Sequence, residues 1–452
     1  MHSGQKPAAA LSPLLSPSTK KLLTEKRDLL GSWVEEYGSP LHVVRPSELS
    51  ANISALRVVL DEFNIDHKIY YGAKVNKSSG LMAAAIGAGA GIDVSSLYEL
   101  GDAERLGAAG RQLVATGPAK TKEFQETLIR SKALISVDSP EELNDLKQLL
   151  LDDVRPQPVL LRLRPHGNDR SRFGMSAAAI SAAMKQIVEN PRIQLVGFHF
   201  HLSGYQWEDR AEAIRQTIDL IAEARANGLD PKLIDIGGGL PVQYVDQRDW
   251  CRHLGSQSVT DYRTGRIPAS LYPYGGALSA PRWLGNLLAA AATSTLTIAD
   301  YLRRQRLTLA MEPGRALADQ TAISLFRISR VKDLGGGNGV IFVEGSSFNA
   351  CETWFGSEFL VDPILIPQSG PTGTSEAKRF YVAGHSCLDE DVISNRWLEF
   401  LCAPKTGDLL VWANTAGYQM DLLENEFHRH PMPNRLCIQE STTGTMSITL
   451  DD

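Results

Sequence analysis

The residues with the most chemical potential in this chain sit at the ends of apolar runs. Tyr70-Tyr71-Gly72-Ala73-Lys74-Val75-Asn76-Lys77 carries an aromatic run that ends on a lysine. A lysine ending a buried strand is costly unless it is paired, neutralised or covalently used. Such an amine can carry a carbonyl cofactor as a Schiff base. Gly237-Gly238-Gly239 follows the run Leu233-Ile234-Asp235-Ile236. Three glycines let backbone N–H groups approach an anion with no Cβ in the way, although a tight turn without a ligand has the same sequence. Glu312-Pro313-Gly314-Arg315 closes another apolar run. Arg315 can fork onto a phosphate, and Glu312, lying deeper, can hold a proton on a ring nitrogen; the alternative is a capped loop with a surface ion pair.

Two further segments carry candidates. In Gly197-Phe198-His199-Phe200-His201-Leu202-Ser203-Gly204, strand alternation puts both histidines on one face. The pair could bind a metal, but no third ligand accompanies it in the sequence, so no metal is expected. A His201 ring stacked on a flat cofactor is the preferred reading, with a structural histidine as the alternative. Gly384-His385-Ser386-Cys387-Leu388-Asp389-Glu390-Asp391 sets a cysteine among carboxylates, either a proton donor or a small buried residue.

Something must position these groups. Apolar runs at residues 68–73, 91–95, 112–116, 133–137, 158–163, 195–199, 232–236 and 307–311 alternate with helix-like segments such as 78–89, 140–151, 177–188 and 209–228. Eight strands alternating with helices predict a (β/α)8 TIM-like barrel in preference to an open doubly wound sheet. In such a barrel the active groups lie just past the strands. Lys74, Asp93, Arg162, Arg164, His201, the triple glycine, Glu312 and Arg315 all fall there. A glycine cradle after the seventh strand and an arginine after the eighth match the phosphate corner of these barrels.

Beyond residue 320 the pattern changes to strands without long helices, at 322–331, 339–344, 379–383, 408–413, 436–439 and 445–450. The expected organisation is a disordered lead (1–21), an N-terminal segment (22–46) that adds a strand to the β domain, a barrel (47–319) and a C-terminal all-β domain (320–452). Residues 335–339 form a turn and 367–378 a surface loop.

Bulk properties narrow the class. The net charge of −6 argues against nucleic-acid binding. Five scattered cysteines with no CxxC pair favour reduced thiols and a cytoplasmic location. No apolar run approaches the roughly 18 residues a membrane span needs.

Taken in order, these segments resemble the fold-type III pyridoxal-phosphate (PLP) decarboxylases, the diaminopimelate, ornithine and arginine decarboxylase group, over most of residues 36–430. The likeness rests on Tyr71-Gly72-Ala73-Lys74-Val75-Asn76, Gly91-Ile92-Asp93-Val94-Ser95 with Glu99-Leu100, Ser171-Arg172-Phe173-Gly174, the triple glycine and Glu312-Pro313-Gly314-Arg315. The resemblance implies pyridoxal 5'-phosphate bound to Lys74, its ring nitrogen on Glu312 and its face against His201. It implies a phosphate held by Gly238, Gly239, Arg315 and Tyr418, with Asp93, Arg162, Ser203, Gly204, Gly237 and Gly314 completing the cofactor set. Cys387 becomes the proton donor to Cα, reaching the partner's site in a homodimer with shared active sites. Leu388 and Asp391 become the substrate-facing positions, and the substrate an amino acid. A racemase on the same barrel and a non-catalytic PLP-binding homologue are the competing readings.

The chain departs from the family in four places. His201-Leu202-Ser203-Gly204 exchanges the family's Gly and Ser, and Ala416-Gly417-Tyr418 replaces Gly-Ala-Tyr. Leu388 stands where an acid after the cysteine reads the substrate's far end. In the same way, the Arg-Pro-x-Leu-Tyr segment of diaminopimelate decarboxylases becomes Ala350-Cys351-Glu352-Thr353-Trp354-Phe355, with no arginine. Finally, Gly239 and Glu312 are 73 positions apart. The added segment (240–306) is rich in Trp, Tyr and Arg, and reads as a lid or substrate loop, or equally as a solvated decoration or dimer contact.

Overall fold

The computed structural model describes residues 10–151, 155–168, 170–368, 379–440 and 446–451. Two helices, Pro17–Glu25 and Arg27–Tyr37, precede strand β1 (Leu41–Val44). Eight short strands follow: β2 (His67–Gly72), β3 (Gly91–Val94), β4 (Leu113–Ala115), β5 (Leu134–Val137), β6 (Gln157–Arg162), β7 (Ile193–His199), β8 (Leu233–Asp235) and β9 (Thr308–Met311). Each pairs in parallel with the next and β9 closes on β2, so the sheet is a closed barrel. Strands such as β5 and β6 are buried along their whole length, as parallel strands covered on both faces must be. Tyr70, Val114, Leu134, Leu160, Leu233 and Ala310 form a buried cluster drawn from six of the strands.

The intervening helices start where the sequence supplies caps. Ser139, followed by Pro140, accepts from the Glu142 N–H, and Ser176 accepts from the Ala179 N–H. The cap fixes where each strand-to-helix loop ends, and so where the strand-end side chains project.

The remaining strands are β10 (Ala322–Gly335), β11 (Asn338–Val343), β12 (Ile364–Ile366), β13 (Arg379–Ala383), β14 (Val392–Glu399), β15 (Leu409–Ala413), β16 (Asn434–Glu440) and β17 (Met446–Leu450). They form one sheet in the order β14-β13-β11-β10-β1-β16-β17, with β15 also on β10 and β12 on β15. The N-terminal strand is therefore interior to it, antiparallel to β10 and parallel to β16. Expected turn 335–339 is the β10–β11 hairpin. Strands β12 and β14 were not expected; Ser394, Asn395 and Arg396 interrupt the apolar pattern of β14.

The chain divides into two compact units. One comprises Ser50–Leu240 and Ala280–Leu317, the barrel; the other takes the chain up to Leu49, Pro241–Ser279 and everything from Ala318 on. Two expectations change here. Residues 1–9 lie outside the described residues, but residues 10–21 of the expected disordered lead are ordered. Leu11 is fully buried, the Leu14 N–H donates to the Tyr244 carbonyl at 2.7 Å, and Ser16 caps the first helix. The apolar Leu11 and Leu14 find partners far along the chain, which local composition does not reveal. The second change concerns the insertion, whose first half is part of the β unit. Tyr262 bridges to Arg396, the Arg263 N–H donates to the Asn395 carbonyl at 2.8 Å, and Tyr274 bonds Glu352. Trp250, Tyr262 and Tyr274 are buried there, not displayed as a lid would need. Residues 369–378, most of the expected loop, lie outside the described residues. No helix among the described residues is long and apolar enough to cross a membrane.

Burial in the β unit raises the Glu358 carboxyl to about 7, against the Asn395 N–H that donates to it at 2.8 Å. The folded chain thus keeps a proton that the unfolded chain loses near 4.5. This contribution to stability is full below pH 4.5 and falls as the pH rises toward 7. Melting temperature followed across that window should fall less steeply for Glu358→Gln than for the wild type.

Candidate active site

The carboxyl-end mouth of the barrel opens into a cavity of about 500 Å3, whose lining includes Lys74, Thr116, Arg162, His201, Ser203 and Glu312. Strand β2 is buried, but a 3-10 turn over Ala73–Val75 swings Lys74 into the opening, where its side chain is 38% exposed. Lys74 is therefore not the buried charge its sequence suggests; it is a paired one. Its Nζ lies 2.6 Å from Asp93 Oδ2, and the Thr116 hydroxyl donates to Asp93 Oδ1 at 2.6 Å. Gly72 and Asp93 are register partners in β2 and β3, so the turn brings Lys74 back over the next strand. Burial raises the Asp93 carboxyl and the ammonium of Lys74 opposes that rise.

A second group spans β6 to β9. Arg162, His199 and Asp235 are register partners across β6, β7 and β8. His199 Nδ1 meets the Ser136 hydroxyl at 2.7 Å, and its Nε2 lies 3.7 Å from Glu312 Oε1. His201 Nδ1 lies 3.9 Å from Glu312 Oε2 and accepts the Gly238 N–H at 3.3 Å. Burial holds His199 well below the ordinary imidazole value, against the pull of Glu312. Burial also pushes Glu312 up, but the facing His199, then His201 and Lys74, outweigh it and keep the carboxyl below its usual range. Burial, with Glu312 next, raises Asp235 well above its usual value. The site thus holds one charged carboxylate, Glu312, beside a neutral acid, since two adjacent buried carboxylates do not both ionise.

Glu312 is 4% exposed and neither of its oxygens has a hydrogen-bond partner among the described residues. A buried carboxylate without donors is costly, so its position suits a cationic donor delivered by a bound molecule. A protonated pyridine nitrogen is such a donor. His199, His201 and Glu312 also lie close enough together for a metal. The third ligand that the two histidines lack in sequence is therefore supplied by β9, more than a hundred residues away. The anion-binding elements lie on the same face. The glycine turn follows β8, with the Glu312 N–H on the Gly237 carbonyl at 2.9 Å, and Arg315 opens the short helix Gly314–Leu317 after β9. Gly204 has φ +75°, so the exchange of Gly and Ser puts glycine at the left-handed position.

Other expected residues fall elsewhere. Arg162 lines the cavity, but its guanidinium is committed to Asp138 at 2.8 Å and lies over the Phe173 ring at 4.6 Å. Asp138 also accepts the Gly174 N–H at 2.9 Å, so the pair anchors the 171–174 loop. Cys387, Leu388, Asp391 and Tyr418 belong to the β unit. Cys387 is exposed in the β13–β14 loop, Leu388 is 38% exposed, and Tyr418 sits in a turn after β15 with φ +66°. Asp391, expected to face substrate, is only 2% exposed and turned inward. It accepts from the Ser347 N–H and hydroxyl, both at 2.7 Å, and from the Ser386 N–H at 2.9 Å. Its carboxylate braces the cysteine loop and has little capacity left for a substrate. Thr116, Asp138, Asp235, Lys120 (ion-paired to Glu142 at 2.8 Å) and Arg210 were not singled out from the sequence. Thr116 and Asp138 directly follow β4 and β5, so the strand-end rule that found Lys74 could have found them.

A parallel barrel whose mouth joins a lysine, a buried donor-less carboxylate and a glycine cradle defines a class, the PLP-dependent barrel enzymes. Comparison with known proteins agrees. The family described as "Pyridoxal-dependent decarboxylase, pyridoxal binding domain" matches residues 49–264. The uncharacterized protein y4yA of Sinorhizobium fredii is 58% identical, covering 99% of this chain and 98% of its own length. Diaminopimelate decarboxylase of Corynebacterium efficiens is 23% identical, covering 85% of this chain and 80% of its own. The crystal structure of diaminopimelate decarboxylase from M. jannaschii with L-lysine superposes with a TM-score of 0.73 at 19% identity, over 93% of this chain and 91% of that one. The chain belongs to the fold-type III PLP-dependent decarboxylase family. It is an amino-acid decarboxylase with pyridoxal 5'-phosphate as cofactor.

Asp138→Asn should leave the buried Arg162 charge uncompensated and cost about 3–5 kcal/mol of barrel stability. Chemical denaturation followed by circular dichroism measures it; an unchanged midpoint would mean that the pair is not a support of the site.

Proposed function

We propose that this enzyme decarboxylates an amino acid whose side chain ends in neither a free ammonium nor a second α-amino acid centre. The observation that carries the site reading is Glu312, charged, buried and without a donor among the described residues, in the same cavity as Lys74. When bound, the cofactor supplies the electron sink that makes loss of carbon dioxide from Cα feasible. Lys74 would hold the cofactor through its carbonyl carbon. Asp93, 2.6 Å from Lys74 Nζ, orients that amine and balances its positive charge. Glu312 would keep the ring nitrogen protonated, and with burial raising its neighbour Asp235 it is the carboxylate there suited to do so. His201, which lines the cavity, would cover the ring. Ser203, Gly204, Gly239, Gly314, Arg315 and Tyr418 would hold the phosphate, since the N–H groups of Gly237 and Gly238 are given to Asp235 at 2.9 Å and to His201 at 3.3 Å. Cys387, exposed on a loop that Asp391 braces, returns a proton to Cα from the second subunit of a homodimer.

The substrate class rests on two positions. Leu388 offers an apolar surface beside Cys387 where basic-substrate relatives carry an acid. A distal ammonium placed there would be desolvated without a partner. Glu352 occupies the segment where diaminopimelate decarboxylases carry arginine, and its carboxylate is already bound by Tyr274, by Gln419 at 2.5 Å and by Ser357 at 3.3 Å.

Carbon dioxide release from a panel of amino acids tests the reading. Amino acids with neutral or apolar far ends should turn over faster than lysine, ornithine or diaminopimelate. Lys74→Ala should release none and lose the cofactor adduct that borohydride fixes in the wild type. Decay of optical rotation without gas release would indicate racemisation instead, and fastest turnover of lysine or diaminopimelate would refute the substrate class.

Mixing tests the shared site. Lys74→Ala and Cys387→Ala subunits, each nearly inactive alone, should together regain about a quarter of wild-type activity if random reassortment makes one intact site in each mixed dimer. No recovery after confirmed subunit exchange would place the donor within its own chain.

A further inference from the structure

Arg210 is a buried cation that the reaction as described does not use. It lies in the first turn of the helix Trp207–Ala226, is fully buried, and makes no ion pair among the described residues. Both circumstances are unfavourable. Burial desolvates the guanidinium, and the positive end of a helix dipole repels a cation in the first turn. Burial lowers its basicity only to about 10, so it remains charged at neutral pH. What offsets these costs is a set of backbone carbonyls. Nη2 donates to Leu202 O at 2.7 Å, to Gly204 O at 2.8 Å and to Gly238 O at 3.4 Å, while Nη1 donates to Ser203 O and Gln206 O, each at 3.4 Å. One side chain therefore ties the loop after β7 to the glycine turn after β8.

The consequence lies on the far side of those peptides. In a trans peptide the carbonyl and the next residue's N–H point in opposite directions. Drawing the carbonyls of Leu202, Ser203 and Gly238 onto the guanidinium turns the N–H groups of Ser203, Gly204 and Gly239 away from it. None of these three N–H groups makes a hydrogen bond among the described residues. Left-handed φ values of +75° at Gly204 and +86° at Gly239 permit the required turns, and Leu202 and Ser203 line the cavity. Outward N–H groups on consecutive turns make an anion nest.

We infer that Arg210 is the positioning residue of the phosphate cradle. From behind, it gathers the carbonyls of both loops and thereby presents the N–H groups of Ser203, Gly204 and Gly239 to the phosphate of the cofactor. The inference rests on the proposed placement of the cofactor in this cavity. It predicts a loss specific to the phosphate, which a general loosening of the fold would not give. Apoenzyme is titrated with pyridoxal 5'-phosphate and separately with pyridoxal, which lacks the phosphate, and the absorbance of the bound chromophore gives both dissociation constants. Arg210→Lys and Arg210→Gln should weaken pyridoxal 5'-phosphate by about tenfold to a hundredfold, the size of a lost charge-assisted hydrogen bond. Pyridoxal affinity should stay within about twofold, the glutamine variant being the weaker for the phosphate form.

Should the arginine variants fail to fold, Gly239→Ala supplies the same information. Its Cβ would overlap Arg210 Nη2 and lie 2.9 Å from Gly204 O. It too should lose the phosphate form selectively. Equal weakening of both ligands, or unchanged preference for the phosphate form, would overturn the role of Arg210. A wild-type protein that binds neither ligand would instead overturn the cofactor placement, and this inference with it.

Discussion

The barrel holds Glu312 out of water with no hydrogen-bond donor on either oxygen among the described residues, and the rest of the site is arranged around that charge. A lone carboxylate in an apolar interior ordinarily takes up a proton, because its solvation is lost and nothing replaces it. Here burial pushes that way, and the electrostatics of three neighbours push back. The compensation is spread over elements far apart in sequence: His199 and His201 from β7 and the residues after it, and Lys74 from the turn after β2. Asp235, the nearest competing acid, keeps its proton. An active site of this kind is a fold-level charge balance, and a closed barrel achieves it because all its strand ends face one opening.

That is also why so much of the site was legible in the sequence. Alternation of apolar runs with helical segments fixes the barrel, and the barrel fixes which end of each run matters. Lys74, Asp93, His201, the triple glycine, Glu312 and Arg315 all follow from that single geometrical rule. What stayed hidden depends on pairing across the barrel. Arg162 has the right position for a cofactor ligand, yet Asp138 from the neighbouring strand neutralises it, and no feature of either segment announces the pair. Asp391 looks like a substrate ligand because it follows Cys387 closely. Its carboxylate instead satisfies N–H groups on two loops, one of them some forty residues earlier. Arg210 looks like an ordinary charged residue at a helix start, and only its carbonyl partners set it apart.

The insertion and the missing substrate arginine, separate oddities in the sequence, become one feature in three dimensions. Residues 241–279 pack into the β unit, where Tyr274 stacks on Tyr244, tilts against Tyr272 and meets Trp250 and Phe359 edge-on. That aromatic cluster delivers the Tyr274 hydroxyl to Glu352, and Gln419, next to Tyr418, completes the contact. The Glu352 carboxylate accepts hydrogen bonds from both. The insertion thus packs against the 350–355 segment through Glu352. The two departures from the family pattern, the 350–355 segment and the added chain, are thus joined in one packed region.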